Sequence, residues 1–248
     1  MKPFTYLTID LACLSVPFVV SFHPRAPFYK DWKYFFPASL IVATLFLLWD
    51  ACFTQLGVWG FNPDYLIGFY LLNLPLEEVL FFLCIPYACV FTYYTLKHWV
   101  EQPLLCDMHR SLSVFLSVVL LAVGLYSFDR AYTCATAFAL AAYLLFCLKQ
   151  RSDLSDLYRA YAVILPFFSI ANGLLTGTWL EAPIVWYNNA QNLGIRLGTI
   201  PIEDSLYGLL LIALNIHLYE YFKSKSSHKS KRISLQAART HHNPSKSS

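Results

Sequence analysis

Charge is what this chain has least of. Only 13% of its 248 residues are Asp, Glu, Lys or Arg, about half the roughly 25% usual for a soluble domain. So few charges cannot cover the surface of a soluble protein of this length. Its seven cysteines include no CxxC pair, so the spacing of a zinc site or disulfide framework is missing. Most of them sit in apolar runs, where Cys behaves as a small hydrophobe. No GxGxxG stands in a strand–turn–helix setting, which removes the dinucleotide-binding fingerprint. The last apolar run, 203–222, holds no lysine, so a retinal-type Schiff base in that span is excluded. Asp153 and Asp156 form a single DxxD in a short polar loop. That is too little for the Asp-rich magnesium-diphosphate motifs of a prenyltransferase.

What the chain has is apolar length. Hydrophobic residues make up 57%, with 20 Phe and 17 Tyr, and the mean hydropathy is +0.49. Runs of about 20 apolar residues mark membrane spans. Seven occur, at roughly 4–22, 35–57, 77–96, 111–128, 131–149, 158–178 and 203–222. The first contains Asp10 and lacks a small-residue cleavage site, so it reads as a span, not a signal peptide. The expected fold is an all-α integral membrane protein with about seven transmembrane helices. The aromatic excess suits interfacial belts or a pocket for a long apolar ligand.

Residues 1–222 form the expected membrane-embedded domain. The net charge of +3 conceals a slightly acidic body, because seven of the 18 Lys and Arg lie beyond Phe222. The segment 223–248, rich in Ser, Lys and His, reads as a disordered basic cytoplasmic tail. It suits anionic membrane lipid better than nucleic acid. Alternating the loops puts 15 of the 18 basic residues on one side and only Lys2, Arg130 and Arg196 on the other. The positive-inside rule then places the chain in the cell membrane with a non-cytoplasmic N-terminus and a cytoplasmic C-terminus.

An internal repeat is visible. Pro75-Leu76-Glu77-Glu78 opens the third run and Pro201-Ile202-Glu203-Asp204 the seventh. Upstream, Asp50-Ala-Cys-Phe-Thr54 matches Asn172-Gly-Leu-Leu-Thr176. The repeat halves are about 1–105 and 129–222. An offset of four spans makes them parallel repeats, so both acidic motifs emerge on one side.

Proline followed by acids is a good helix start, and one such motif alone reads as capping. Here it occurs twice, and Asp10 and Asp50 lie at a similar depth, where a carboxylate is costly and usually functional or paired. Phe81 follows Glu77 and Tyr207 follows Glu203 at i, i+4, on the same helix face. Clustered acids cannot all ionise, so one site can hold both an acid and a base. Aromatic faces beneath them can stabilise a carbocation. That set suits protonation of an alkene followed by removal of a different proton. A proton relay in a transporter fits the same acids.

The strings LGVWGFNPDYLIGFYLLNLPLEEVLFF and NGLLTG…YNNAQNLGIRLGTIPIEDSLYGLLL resemble the two halves of the lycopene cyclase domain family, a membrane-embedded type found as paired subunits or fused. The resemblance runs to about Phe222. It implies cyclisation of the linear ψ ends of lycopene, or a related linear carotenoid, to β rings, an isomerisation that uses no cofactor and no metal. The acids carry over as Glu77, Glu78, Glu203 and Asp204, with Asp50 and Asp10 behind them. A protonated Glu77 or Glu203 is expected to donate, and Glu78 or Asp204 to accept. Phe81, Trp59, Tyr207 and Tyr187 are expected to line the substrate, with Arg196 and Arg130 setting carboxylate charge. A carotenoid end-group hydratase is the nearest alternative. Oligomeric state is not legible.

Overall fold

The computed structural model describes residues 2–99 and 108–241, and of residues 228–241 the backbone only. Cys106 and residues 242–248 lie outside that range. Seven α-helices account for the seven apolar runs: α1 (Thr5–Val20), α2 (Trp32–Gln55), α3 (Leu76–Trp99), α4 (His109–Tyr126), α5 (Ala131–Gln150), α6 (Ser155–Leu175) and α7 (Ile202–His241). The all-α membrane fold expected from composition is therefore what forms. Segments Lys2–Val20 and Phe28–Gln55 and helices α3 to α6 are long and apolar enough to cross a membrane. In α7 the apolar run is broken by Asn215, His217 and Glu220. That helix sits inside the bundle, with Leu209, Leu210, Leu211, Ile212 and Ala213 all buried. It meets protein rather than lipid on most sides and needs less apolar surface. The helix also carries on past Phe222, where composition suggests a disordered tail, to His241.

The repeats interlock. Within each, the first helix packs on the third: α1 on α3, and α5 on α7. Between them, α2 packs on α7 and α6 on α3, so each middle helix leans on the other repeat. The isolated helix α4 rests on α5, where a Cβ on Gly124 would meet the Phe138 ring at 3.1 Å. Helix association in lipid relies on close packing. Fully buried Ala38, Ala137, Ala141 and Ala213 permit it here.

Both middle helices end in the same way. Gly57 follows α2 with φ +68°, and Gly177 follows α6 with φ +104°. Val58 N–H reaches back to Phe53 O and Gly57 N–H to Thr54 O. Thr178 N–H reaches Gly173 O and Gly177 N–H reaches Leu174 O. These are paired Schellman closures, for which glycine supplies the left-handed residue. The loops that follow then pair with each other: β1 (Trp59–Phe61) runs antiparallel to β4 (Val185–Tyr187), with Trp59 opposite Tyr187. Gly60 is required at this ribbon, because a Cβ there would stand 2.4 Å from the Trp186 ring. A tight hairpin then leads into each acidic helix. The first joins β2 (Tyr70–Leu71) to β3 (Leu74–Pro75), the second β5 (Arg196–Leu197) to β6 (Ile200–Pro201).

These loops cap one end of the bundle, together with an exposed Lys2–Glu181 ion pair at 2.5 Å. The pairing moves Glu181 below its ordinary pKa value. At the opposite end Lys223 and Tyr219 of α7 both donate to Asp31, each at 2.6 Å. Lys97 of α3 donates to Glu220 at 2.7 Å.

Candidate active site at the joint of the repeats

Each acidic helix begins straight after a hairpin whose last residue is a proline. Two adjacent acids in a first turn point about 100° apart, and here they part company. The first of each pair turns back to its own loop. Glu77 Oε1 accepts from Ile67 N–H at 2.7 Å. Glu203 Oε1 accepts from Leu193 N–H at 2.8 Å and from the Thr133 hydroxyl at 2.6 Å. Both side chains are buried. Each takes its backbone donor from ten residues upstream, so they anchor equivalent loops.

The second acid of each pair faces the joint. Tyr6 of α1 donates to Glu78 at 2.5 Å, and Tyr132 of α5 donates to Asp204 at 2.6 Å. Each tyrosine stands 72 residues before its acid, so the repeat extends to the first helix. The neighbours of the two acids then differ. Asp50, in the last two turns of α2, lines the same cavity as Glu78, and the two carboxyls are close neighbours. It also accepts from the Trp59 indole N–H and from Thr54 at 3.3 Å. In the second repeat Asn172 takes that place and donates its amide to Asp204 at 2.6 Å. Tyr187 donates to the same Asp204 oxygen at 2.9 Å. Asp204 thus accepts from three donors, while Asp50 Oδ2 has no hydrogen-bond donor.

Glu78, Asp50, Asn172 and Asp204 line one cavity of about 60 Å³ between the repeats. Its remaining wall is largely aromatic: Tyr6, Trp59, Phe61, Phe81, Tyr132, Phe168, Tyr187 and Tyr207. The Trp59 ring lies 5.0 Å from that of Tyr132 and 6.3 Å from that of Tyr207. Glu78, Asp50 and Asp204 are each less than a tenth exposed, under the β1–β4 ribbon.

Of the residues expected from sequence, the structure brings Glu78, Asp204, Asp50, Phe81, Trp59, Tyr207 and Tyr187 to this cavity. Glu77 and Glu203 are not on its wall. Arg196 stays outside: its guanidinium donates to Thr199 O at 2.6 Å and Asn189 at 2.7 Å, and sits 5.9 Å from the centre of the Tyr187 ring. Arg130 donates to Asn192 O at 2.8 Å. Asp10 is buried with neither carboxyl oxygen hydrogen-bonded, off the cavity wall. His217 packs on Tyr143 and Phe146 at the other end. Sequence reasoning missed Tyr6, Tyr132 and Phe168. The common spacing of 72 residues would have exposed the two tyrosines.

A bundle of apolar helices in two parallel copies, with their acids meeting under a paired loop ribbon, defines a multi-pass membrane protein built by duplication. The lycopene cyclase family model matches this chain twice, over residues 3–96 and 129–222. The chain belongs to the lycopene cyclase family, and α4 is the linker between its two matches. A stretch of 96 residues is 26% identical to the bifunctional lycopene cyclase/phytoene synthase of Aspergillus oryzae. That stretch is 38% of this chain and spans 16% of the fungal protein. No solved structure matches the chain.

Proposed function

We propose that this chain is a lycopene β-cyclase, which closes the linear ψ ends of lycopene, or of a related linear carotenoid, to β rings. The observation that carries this reading is the pairing of unlike acid sites across one aromatic cavity. Two buried carboxyls side by side, Glu78 and Asp50, stand on one wall, and on this reading they share a proton. A carboxylate with three donors, Asp204, faces them from the other repeat.

The Glu78·Asp50 pair gives its proton to the terminal double bond of the substrate. The tertiary cation so formed is attacked by the next double bond, which closes a six-membered ring and moves the charge to a ring carbon. Asp204 removes a proton from the neighbouring ring carbon, and the electron pair of that C–H bond becomes the ring double bond. One proton enters and one leaves, so the product is an isomer of the substrate with no change in redox state. Ring faces of Trp59, Phe81 and Tyr207 attract the cation and keep out water, which would trap it as an alcohol. Glu77 and Glu203, which the motif alone offers as donors, take the role of loop anchors here. The acid end of the bundle, with few basic residues, is assigned to the non-cytoplasmic side.

The test is expression in a bacterium that accumulates lycopene, with pigments separated by chromatography. One-ring and two-ring products are expected. Unchanged lycopene contradicts the reading, and an acyclic alcohol in place of rings identifies an end-group hydratase.

A further inference from the structure

A second, larger cavity of about 730 Å³ lies between α1, α3 and α6. Its floor is buried, with Ile85, Cys89 and Ile164 each less than a tenth exposed. Its rim is open at mid-helix: Val16 is 67%, Phe167 70% and Ile170 58% exposed. No charged side chain lines it. It shares Phe81, Phe168 and Asn172 with the acid cavity, so the two adjoin across these side chains. Along α3 it runs from Phe81 to Thr92, roughly 16 Å at the helical rise, about half the thickness of a bilayer core.

The counterpart position, between α5, α7 and α2, shows what closes such a groove. By the match of Asp50 with Asn172, Phe46 and Trp49 correspond to Phe168 and Ala171. By the match of Glu77 with Glu203, Tyr207 corresponds to Phe81. Between α2 of the first repeat and α7 of the second, the rings of Phe46, Trp49 and Tyr207 pack together, with centroids 5.0 Å apart for Phe46–Tyr207 and 5.3 Å for Trp49–Tyr207. On α6, Ala171 stands where Trp49 stands on α2. Gly208 of α7 gives the Phe168 ring room, since a Cβ there would meet it at 3.2 Å.

We propose that the α1–α3–α6 groove holds the unreacted length of a linear polyene, admitted sideways from the lipid, while its end passes between Phe81 and Phe168 to the acids. The proposal rests on the cyclase reading for its occupant. An uncharged, continuous groove suits a hydrocarbon chain, and it offers no cation to hold a phospholipid headgroup. With one groove open and its counterpart filled, a chain processes one end at a time. A substrate cyclised at both ends must withdraw and turn round between rings.

The experiment reads bound pigment rather than turnover. The Glu78→Gln chain, which should leave substrate unconverted, is purified in detergent from lycopene-accumulating cells, and its lycopene is measured by visible absorbance. Ala171→Trp installs the tryptophan found at the equivalent position 49, and Ala88→Trp fills the opposite wall should the first fail to accumulate. Either is expected to cut retained lycopene tenfold or more. Val118→Trp on the exposed face of α4 is expected to leave it unchanged. Undiminished lycopene in the plugged variants overturns the groove, as does loss of co-purifying phospholipid alone. A wild-type chain that binds lycopene through the groove yet forms no ring supports the groove and instead sinks the cavity chemistry.

Discussion

The two repeats share a frame but not an active wall. Both close their middle helix on a glycine, both anchor a loop on the first acid of the third helix, and both offer a tyrosine to the second acid. They differ at a few side chains. Asp50 stands against Glu78 where Asn172 stands against Asp204, and Ala171 leaves open what Trp49 fills. A duplicated scaffold supplies two equivalent positions. On the proposed reading, exchanging one carboxyl for an amide gives one position a proton to lose and the other a charge to keep. The difference between halves, rather than either half, would then fit an acid and a base into one cavity.

The largest effects are expected from removing the two acids that face the cavity. Glu78→Gln and Asp204→Asn should each lower ring formation by about 10² to 10⁴, the usual worth of a general acid or base, measured as product per folded protein in isolated membranes. A smaller loss, roughly tenfold to a hundredfold, is expected from Asp50→Asn, which makes the first repeat resemble the second and removes one carboxyl of the proposed donor pair while leaving Glu78 itself. Equal activity in that variant would show that the acid–amide difference is unimportant.

Glu77→Gln and Glu203→Gln should behave in another way. Each weakens a hydrogen bond from a partly buried loop N–H to a buried side chain, worth about 1–3 kcal/mol. Thermal stability should fall while product per folded protein stays within a few-fold of wild type. If these variants lose activity as far as Glu78→Gln does, the division of labour between neighbouring acids fails. The smallest change is expected from Lys223→Ala at the far end, where a partly exposed pair with Asp31 contributes about 1 kcal/mol or less. A thermal-unfolding shift of that size, with unchanged pigment products, checks it.

Much of the frame is legible in the sequence. Apolar runs place all seven helices, and each expected end lies within three residues of the observed one except the C-terminal end of α7. Two copies of a proline–acid start give the parallel repeat and bring Glu78 and Asp204 to one end of the bundle. The orientation of neighbouring side chains is not legible in the same way. Glu77 and Glu78 have the same chemistry, and only the packing of the Ile67 loop against α3 decides which one turns inward. The tyrosine partners lie 72 residues away on other helices, beyond any local pattern. The groove escapes notice because Ala171, as a sequence letter, is unremarked until Trp49 is seen in the equivalent place. A break in the apolar run of α7 weakens its signal as a span, although it is the most enclosed stretch of the bundle.

The central claim is that a proton held by the protein's own carboxyls starts ring closure. Membranes carrying the chain can be equilibrated in D₂O and given lycopene for a single turnover, with the product examined by mass spectrometry. The account predicts one deuterium for each ring formed, carried on the carbon that received the proton from Glu78, and no labelled ring from Glu78→Gln. Rings that form without deuterium would contradict it.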